Sequence, residues 1–176
     1  MNNDIYAEWL VKRKKSPFKP LIYVAYVLMV LIGLVACIVN AFGFIFLIAA
    51  VVAIYFINMR INVEYEYVFV TNELSIDRIL AQRSRKRIKN IEMQKVDKVV
   101  STRSHEFDFA RNNPKLKPVD YTSRNEDADV YAIIYGGEQG QEVALIEPNE
   151  HLLKCMKNVA PHKVKIDPVI AQKSTN

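Results

Sequence analysis

Residues able to carry chemistry are scarce in this chain. It has three histidines, two cysteines, five glycines and one tryptophan among 176 residues. His151 and Cys155 stand four apart on an expected helix, a spacing two metal ligands could use, but a zinc site needs three or four. His105 and His162 have no ligand cluster around them. Gly136, Gly137 and Gly140 form no phosphate loop, because no Lys-Ser or Lys-Thr follows them. There is no HExxH, no nucleophile and base motif and no dinucleotide fingerprint. The sequence therefore assigns no catalytic, cofactor-binding or metal-ligating residue, and a non-enzymatic protein is expected.

Charge is missing in one place. From Leu21 to Ile57 there is no charged residue, and the run is broken only at Asn40-Ala41-Phe42-Gly43. Leu21 to Val39 is 19 residues, which as a helix rises about 28 Å against a hydrocarbon core of about 30 Å. The stretch from Gly43 to Ile57 is shorter and spans if Phe42, Asn58 and Met59 reach the interface. Asn40 and Gly43 are expected to reverse the chain through left-handed backbone. Two antiparallel transmembrane helices follow. Ala25, Gly33 and Cys37 on one helix and Ala49 and Ala53 on the other recur at multiples of four, and small residues let backbones approach closely in lipid. An intramolecular seam is favoured over a dimer interface.

The positive charge is placed around this apolar run. Residues 1–20 hold five basic and two acidic residues, while residues 60–176 hold 19 and 17. Lys12, Arg13, Lys14, Lys15 and Lys19 precede the first span and Arg60 follows the second, which puts both ends on the cytoplasmic side. The excess reads as a membrane anchor and topology signal and not as a nucleic-acid footprint. Asp4 to Lys15 is expected to form a short helix in the headgroup layer with Trp9 as anchor, the alternative for residues 1–8 being an unstructured basic flank. Leu34-Val35-Ala36-Cys37 has the look of a lipoprotein cleavage site, but Cys37 runs straight into apolar sequence instead of a polar tether. Cys37 and Cys155 fall on different sides of the membrane boundary, so no disulfide joins them.

After Arg60 the period changes to two. Ile61, Val63, Tyr65, Tyr67 and Phe69 alternate with Asn62, Glu64 and Glu66, a half-buried strand. Thr71-Asn72-Glu73 turns the chain, Leu74, Ile76 and Leu80 mark a second strand, and Arg85 to Glu92 a third. A brief helical turn at Gln94 to Val96 precedes a strand from Asp97 to Thr102. Residues 103–128 break the rhythm and are expected to be a flexible insert, with Leu116 to Tyr121 as a weak edge segment. Strands Asp129 to Tyr135 and Gln141 to Glu147 flank a glycine-rich turn. Pro148 and Asn149 open an amphipathic helix with Leu152, Leu153, Met156 and Val159, which Pro161 ends. The tail from His162 is expected to be unpaired.

One feature is concentrated. Arg83, Arg85, Lys86, Arg87 and Lys89 place five cations in seven residues. They fit an anionic headgroup or an acidic partner near a negatively charged leaflet, or a charged strand that guards a sheet edge. Strand alternation lets about half of them meet one surface. Glu64 and Glu66 share a strand face, where Arg78, Arg85 or Arg87 would neutralise them.

The order of four meandering strands, a long loop, further strands and one C-terminal helix resembles the pleckstrin-homology-like fold, in which the helix plugs a corner of a bent antiparallel sheet. Tyr65 to Asp77, followed by Arg85 to Met93 and Val96, is similar to the start of its bacterial membrane-anchored version. Glu8 to Lys15, Val63 to Tyr67 and Ile76 to Ile79 resemble small clostridial membrane proteins of unknown function, from about Tyr6 to Val159. The resemblance implies a topology and a bacterial host, and carries no functional residues with it. The insert departs from a compact domain of this kind.

The expected fold is thus a membrane α-helical hairpin plus a mainly-β (α+β) domain. Residues 1–20 form a basic juxtamembrane segment, 21–59 the two-helix hairpin, 60–160 the cytoplasmic domain with its insert at 103–128, and 161–176 a tail. The expected role is a binding or docking module at the inner leaflet of a bacterial cell membrane. The alternative is a structural subunit that acts through its hairpin. Expected partners are membrane lipids and a protein or a second copy, without nucleic acid or cofactor. Arg83, Arg85, Lys86, Arg87 and Lys89 would make the anionic contact, and Trp9, Lys12, Arg13, Lys14, Lys15 and Arg60 would lie at the membrane interface.

Overall fold

The structure is a computed structural model that describes residues 5–14, 19–40, 42–137 and 140–167, with the side chains of residues 19 and 59–61 left out. Asp4, Lys15 and the tail beyond residue 167 lie outside the described residues, as does part of the expected turn after Gly137.

The first element corrects an expectation. Residues 6–12 form not an interfacial helix but strand β1 (Tyr6–Lys12), antiparallel to β2 (Val63–Val70) from Tyr6↔Val70 to Lys12↔Glu64. Ala7 and Val11 are both buried, a spacing of four that fits one face of a strand as well as of a helix. Tyr6, Trp9 and Val11 prefer a pleated surface, and without β1 the edge of β2 would be bare. Trp9 and Lys12 therefore belong to the sheet.

Between β1 and β2 rise α1 (Lys19–Val39) and α2 (Gly43–Ile61). The reversal is built differently from the expectation, since neither Asn40 nor Gly43 has positive φ. Asn40 turns the chain through hydrogen bonds: its N donates to Ala36 O, Gly43 N donates to Asn40 O, and Phe42 N donates to Asn40 Oδ1. Gly43 is needed for closeness, because a Cβ there would lie 2.2 Å from the carbonyl carbon of Ala36. A Cβ on Gly33 would lie 2.8 Å from Leu47 Cδ1. Gly33, Cys37 and Ala53 face the seam, whereas Ala25 and Ala49 face outward and Ala50 fills the position on α2. Pro20–Val39 is long and apolar enough to cross a membrane, and only 6% of its most apolar window is buried, unlike a core helix. The apolar stretch of α2, Gly43–Asn58, is shorter.

The remaining chain makes two sheets. β2 pairs with β3 (Glu73–Leu80), and β3 with β4 (Ser84–Glu92), giving the order β1-β2-β3-β4. The second sheet holds β5 (Val96–Ser101), β6 (Val119–Asp120), β7 (Tyr131–Gly137) and β8 (Gly140–Ile146) in the order β5-β7-β8-β6. Inward residues Tyr67, Phe69, Ile76, Tyr131, Ile133 and Ile146 meet in one core. Helix α4 (Glu150–Val159) closes it with Leu152, Leu153 and Met156, all fully buried. Asn149 caps this helix by accepting from Leu152 N at 2.8 Å, an arrangement that contributes about 1 kcal/mol.

Two further expectations change. The insert carries helix α3 (His105–Asn112), whose Phe107 and Ala110 pack with Leu116 and β7 in a second cluster. Its edge segment is realised as β6, parallel to β8. The chain after His162 is also held: Val99 N donates to Lys163 O, Lys165 N donates to Val99 O, and Val164 is buried.

Candidate functional site

The five cations around β4 do not share a surface. A bulge between Ile76 and Asp77 of β3 sets Ile76 opposite Lys89 and Asp77 opposite Arg87, with Ile88 as the extra residue. Arg85 and Arg87 therefore lie on the outer face and Lys86 and Lys89 on the other.

On the outer face the cations are neutralised. Arg85 Nε donates to Asp77 Oδ2 at 2.7 Å and its Nη2 lies 2.5 Å from Glu66 Oε2. Arg87 Nε donates to Asp77 Oδ1 at 3.2 Å. Glu66 and Asp77 are buried. Glu8, on the same face of the sheet as Glu66, accepts from Tyr6 Oη. Burial, then the neighbouring Glu8, raise the Glu66 carboxyl above the ordinary glutamate range, with Arg85 opposing. The bond from Tyr6 holds Glu8 below it. Of the arginines expected to neutralise the glutamates, Arg85 reaches Glu66, while Glu64 is met by Lys12 at 3.6 Å and by Gln82 at 3.3 Å.

Lys89 belongs to a different cluster. Its ammonium lies 2.6 Å from Glu142 Oε2 and 5.2 Å from the centre of the Tyr135 ring, and Tyr135 Oη donates to the same carboxylate at 2.7 Å. The Glu142 bond raises the lysine well above its ordinary range, while burial followed by the Glu142 bond pushes the Tyr135 phenol up to about 12.

Lys86 and Arg83 are left. Lys86 stands directly opposite Arg78, both are exposed, and no acid pairs with either among the described residues. Like charges face to face weaken a sheet. Arg83 sits in the β3–β4 turn, and its Nη1 donates to Tyr55 Oη of α2 at 3.5 Å. This turn holds Ala81 and Gln82 at φ of 49° and 58°, each costing about 1 kcal/mol. It is pinned to the foot of α2, where Ala81 N donates to Asn62 O at 2.8 Å. Between helix and turn lies a cleft of ≈ 590 Å³ whose polar lining includes Lys12, Asn58, Asn62 and Arg83.

The residues expected at the membrane interface divide too. Arg13 is drawn into the domain, its Nη2 3.4 Å from Asp120 and its guanidinium over the Tyr65 ring. Burial works against the Asp120 charge, but bonds from Thr122 and Arg124 outweigh it and hold the carboxyl below its usual range. Lys14 N donates to Ser123 O at 2.6 Å, its side chain exposed. Trp9 is 39% exposed. Lys15 lies outside the described residues, and Arg60 is described by its backbone in α2 alone.

Sequence reasoning found the cations but missed Asp77, Glu142 and Tyr135, which decide how many are free. His151 Nε2 lies 3.8 Å from Cys155 Sγ, and no group of three or more His, Cys, Asp or Glu stands ready for a metal among the described residues. No curated protein and no solved structure matches the chain. A family model described as a bacterial PH-like domain matches residues 3–166, from before β1, across the hairpin, to beyond α4, and the chain belongs to that family.

Proposed function

We propose that the chain is an integral protein of a bacterial cell membrane, whose PH-like domain works as a docking module, not an enzyme, at the inner leaflet. The observation that carries this is where the hairpin is inserted. Arg13 N donates to Val63 O at 3.0 Å, so the strand entering α1 and the strand leaving α2 are hydrogen-bonded neighbours. Both helices thus start and finish at one place, and the hairpin crosses a membrane twice or not at all. The largely unburied length of α1 supports two crossings. Tyr23 and Tyr26 at the start of α1 and Tyr55 near the end of α2 support it as well, since tyrosine favours the headgroup level. The basic residues around the foot of the hairpin support a cytoplasmic position for that foot.

In this reading the anionic contact contracts to Arg83, Lys86 and Arg78, because Arg85, Arg87 and Lys89 already have carboxylate partners. The test is extraction with alkaline carbonate followed by native mass spectrometry of the full chain. Retention in the pellet with bound anionic phospholipid, lost in Arg83→Ala/Lys86→Ala, is expected. Release into the supernatant contradicts the membrane reading, and equal lipid retention in the double variant contradicts the contact. The second reading, a subunit acting through its hairpin, is favoured by Ala25 and Ala49, whose outward placement leaves room for another helix. A stoichiometric membrane partner on native purification would select it.

A further inference from the structure

Strand β1 is an edge strand, and the phase of its hydrogen bonds can be worked out. Thr71 N donates to Ile5 O and Arg13 N donates to Val63 O, so in this antiparallel pair the odd residues from 5 to 13 bond to β2. The even residues then turn their N–H and C=O groups outward. Two outward positions are covered: Tyr6 O accepts from His151 Nε2 of α4, and Lys14 N donates to Ser123 O. Between these stops Glu8, Leu10 and Lys12 present three donors and three acceptors that no described residue bonds. Alongside runs a groove of ≈ 420 Å³ lined by Trp9, Lys12, Lys14, Ser123 and Glu147 among others.

We propose that the free edge of β1 at Glu8, Leu10 and Lys12 is a docking site for an extended segment of another polypeptide, which adds to the sheet as a further strand. Backbone groups in a row at strand spacing are matched by another strand and by no compact ligand. Trp9 offers an aromatic surface in the groove for an apolar side chain of the incoming segment. Lys14, whose side chain is exposed, favours an acid near the end closest to the hairpin, where Lys12 is already 3.6 Å from Glu64. A second copy running in the same direction is a poor occupant, because parallel pairing through residues of the same phase needs a stagger of one residue, about 3.3 Å, which identical hairpins rooted in one bilayer would oppose. That choice rests on the membrane reading above, whereas the free edge does not.

Trp9 is the one tryptophan of the chain, so its fluorescence reports on this groove alone. The probes are short acetylated peptides that alternate threonine with valine or isoleucine and carry one glutamate. Each is matched with a form N-methylated on the amides of one edge. Titrated into the full chain in lipid nanodiscs, the unmodified peptides should give a saturable blue shift, with the methylated forms at least about tenfold weaker, the size of one or two backbone bonds. Leu10→Pro removes one outward donor and should weaken binding similarly while leaving the circular dichroism unchanged. Absence of a saturable shift throughout the panel overturns the proposal, and so does an equal shift with methylated peptides. A shift in peptide-free protein as its density in the membrane rises gives the edge to a second copy and overturns the assignment to another chain. A shift in protein that carbonate extracts would leave the edge standing and remove the membrane reading, and the reverse pattern would do the opposite.

Discussion

The two edges of the first sheet are finished in opposite ways. β4 carries cations along its length, and at its far half Lys89 ties it to Glu142 of β8. β1 carries Tyr6, Trp9 and Leu10, all at least 38% exposed, and leaves the backbone of three positions unbonded among the described residues. Charge along an edge discourages chance pairing. An edge stopped at both ends and bare in the middle admits a strand of limited length. The difference teaches that the basic residues of β4 are mostly spent inside the domain, and that the proposed opening for a partner lies on the side the sequence made look like a membrane anchor.

The largest effect should come from the phase of β1. Val11→Pro removes a bond to β2 and should cost about 3 kcal/mol or more, whereas Leu10→Pro removes an outward donor and should cost about 1 kcal/mol. Denaturant unfolding of the two variants checks this, and equal losses would mean that the phase is misassigned. On the opposite edge, Asp77→Ala leaves Arg85 and Arg87 without their shared carboxylate and should cost about 2 kcal/mol, reduced from the buried-pair figure because both arginines are half exposed.

A pH effect joins the two edges through Glu8 and Glu66. Because the folded Glu66 carboxyl titrates above its unfolded value, its contribution is complete below the unfolded range and is lost as pH rises through the raised one. Glu8 acts in the opposite sense, losing its contribution as pH falls below the glutamate range. Thermal unfolding as a function of pH should show the wild type losing stability on the alkaline side of the glutamate range, and Glu66→Gln, which cannot ionise, losing little there. The smallest effect is expected for Lys86→Glu, which replaces repulsion from Arg78 by attraction and should stabilise the sheet by about 0.5 kcal/mol. A loss of stability would mean that Lys86 has an acidic partner.

Much of this architecture is legible in the amino-acid order. Strands β2 to β5, β7 and β8 follow from clean alternation between turn residues, and α4 from its cap, its apolar stripe and Pro161. β1 was hidden because Ile5, Trp9 and Leu10 also fit one face of a helix, and the basic run after it resembles an interfacial flank. The buried pair Ala7 and Val11 satisfies both periods, and only the partner strand decides between them. Helix α3 was hidden because its two buried residues, Phe107 and Ala110, are too few to show a period, and Phe109 beside them is 68% exposed. The cations of β4 are visible in sequence, but the bulge that sends Lys86 and Lys89 to one face and Arg85 and Arg87 to the other depends on pairing with β3. Glu142, the partner of Lys89, lies 53 residues away.

The central claim is that neighbouring strands hold a hairpin whose tip and foot lie on opposite sides of a bilayer. The most direct measurement labels two single-cysteine variants of a chain in which Cys37 and Cys155 are replaced, one carrying Asn40→Cys at the tip and the other Ser84→Cys at the start of β4. With a membrane-impermeant maleimide on intact cells, the account predicts labelling at position 40 and, at position 84, labelling only after permeabilisation. Labelling of position 84 from outside, or of both positions alike, would contradict it.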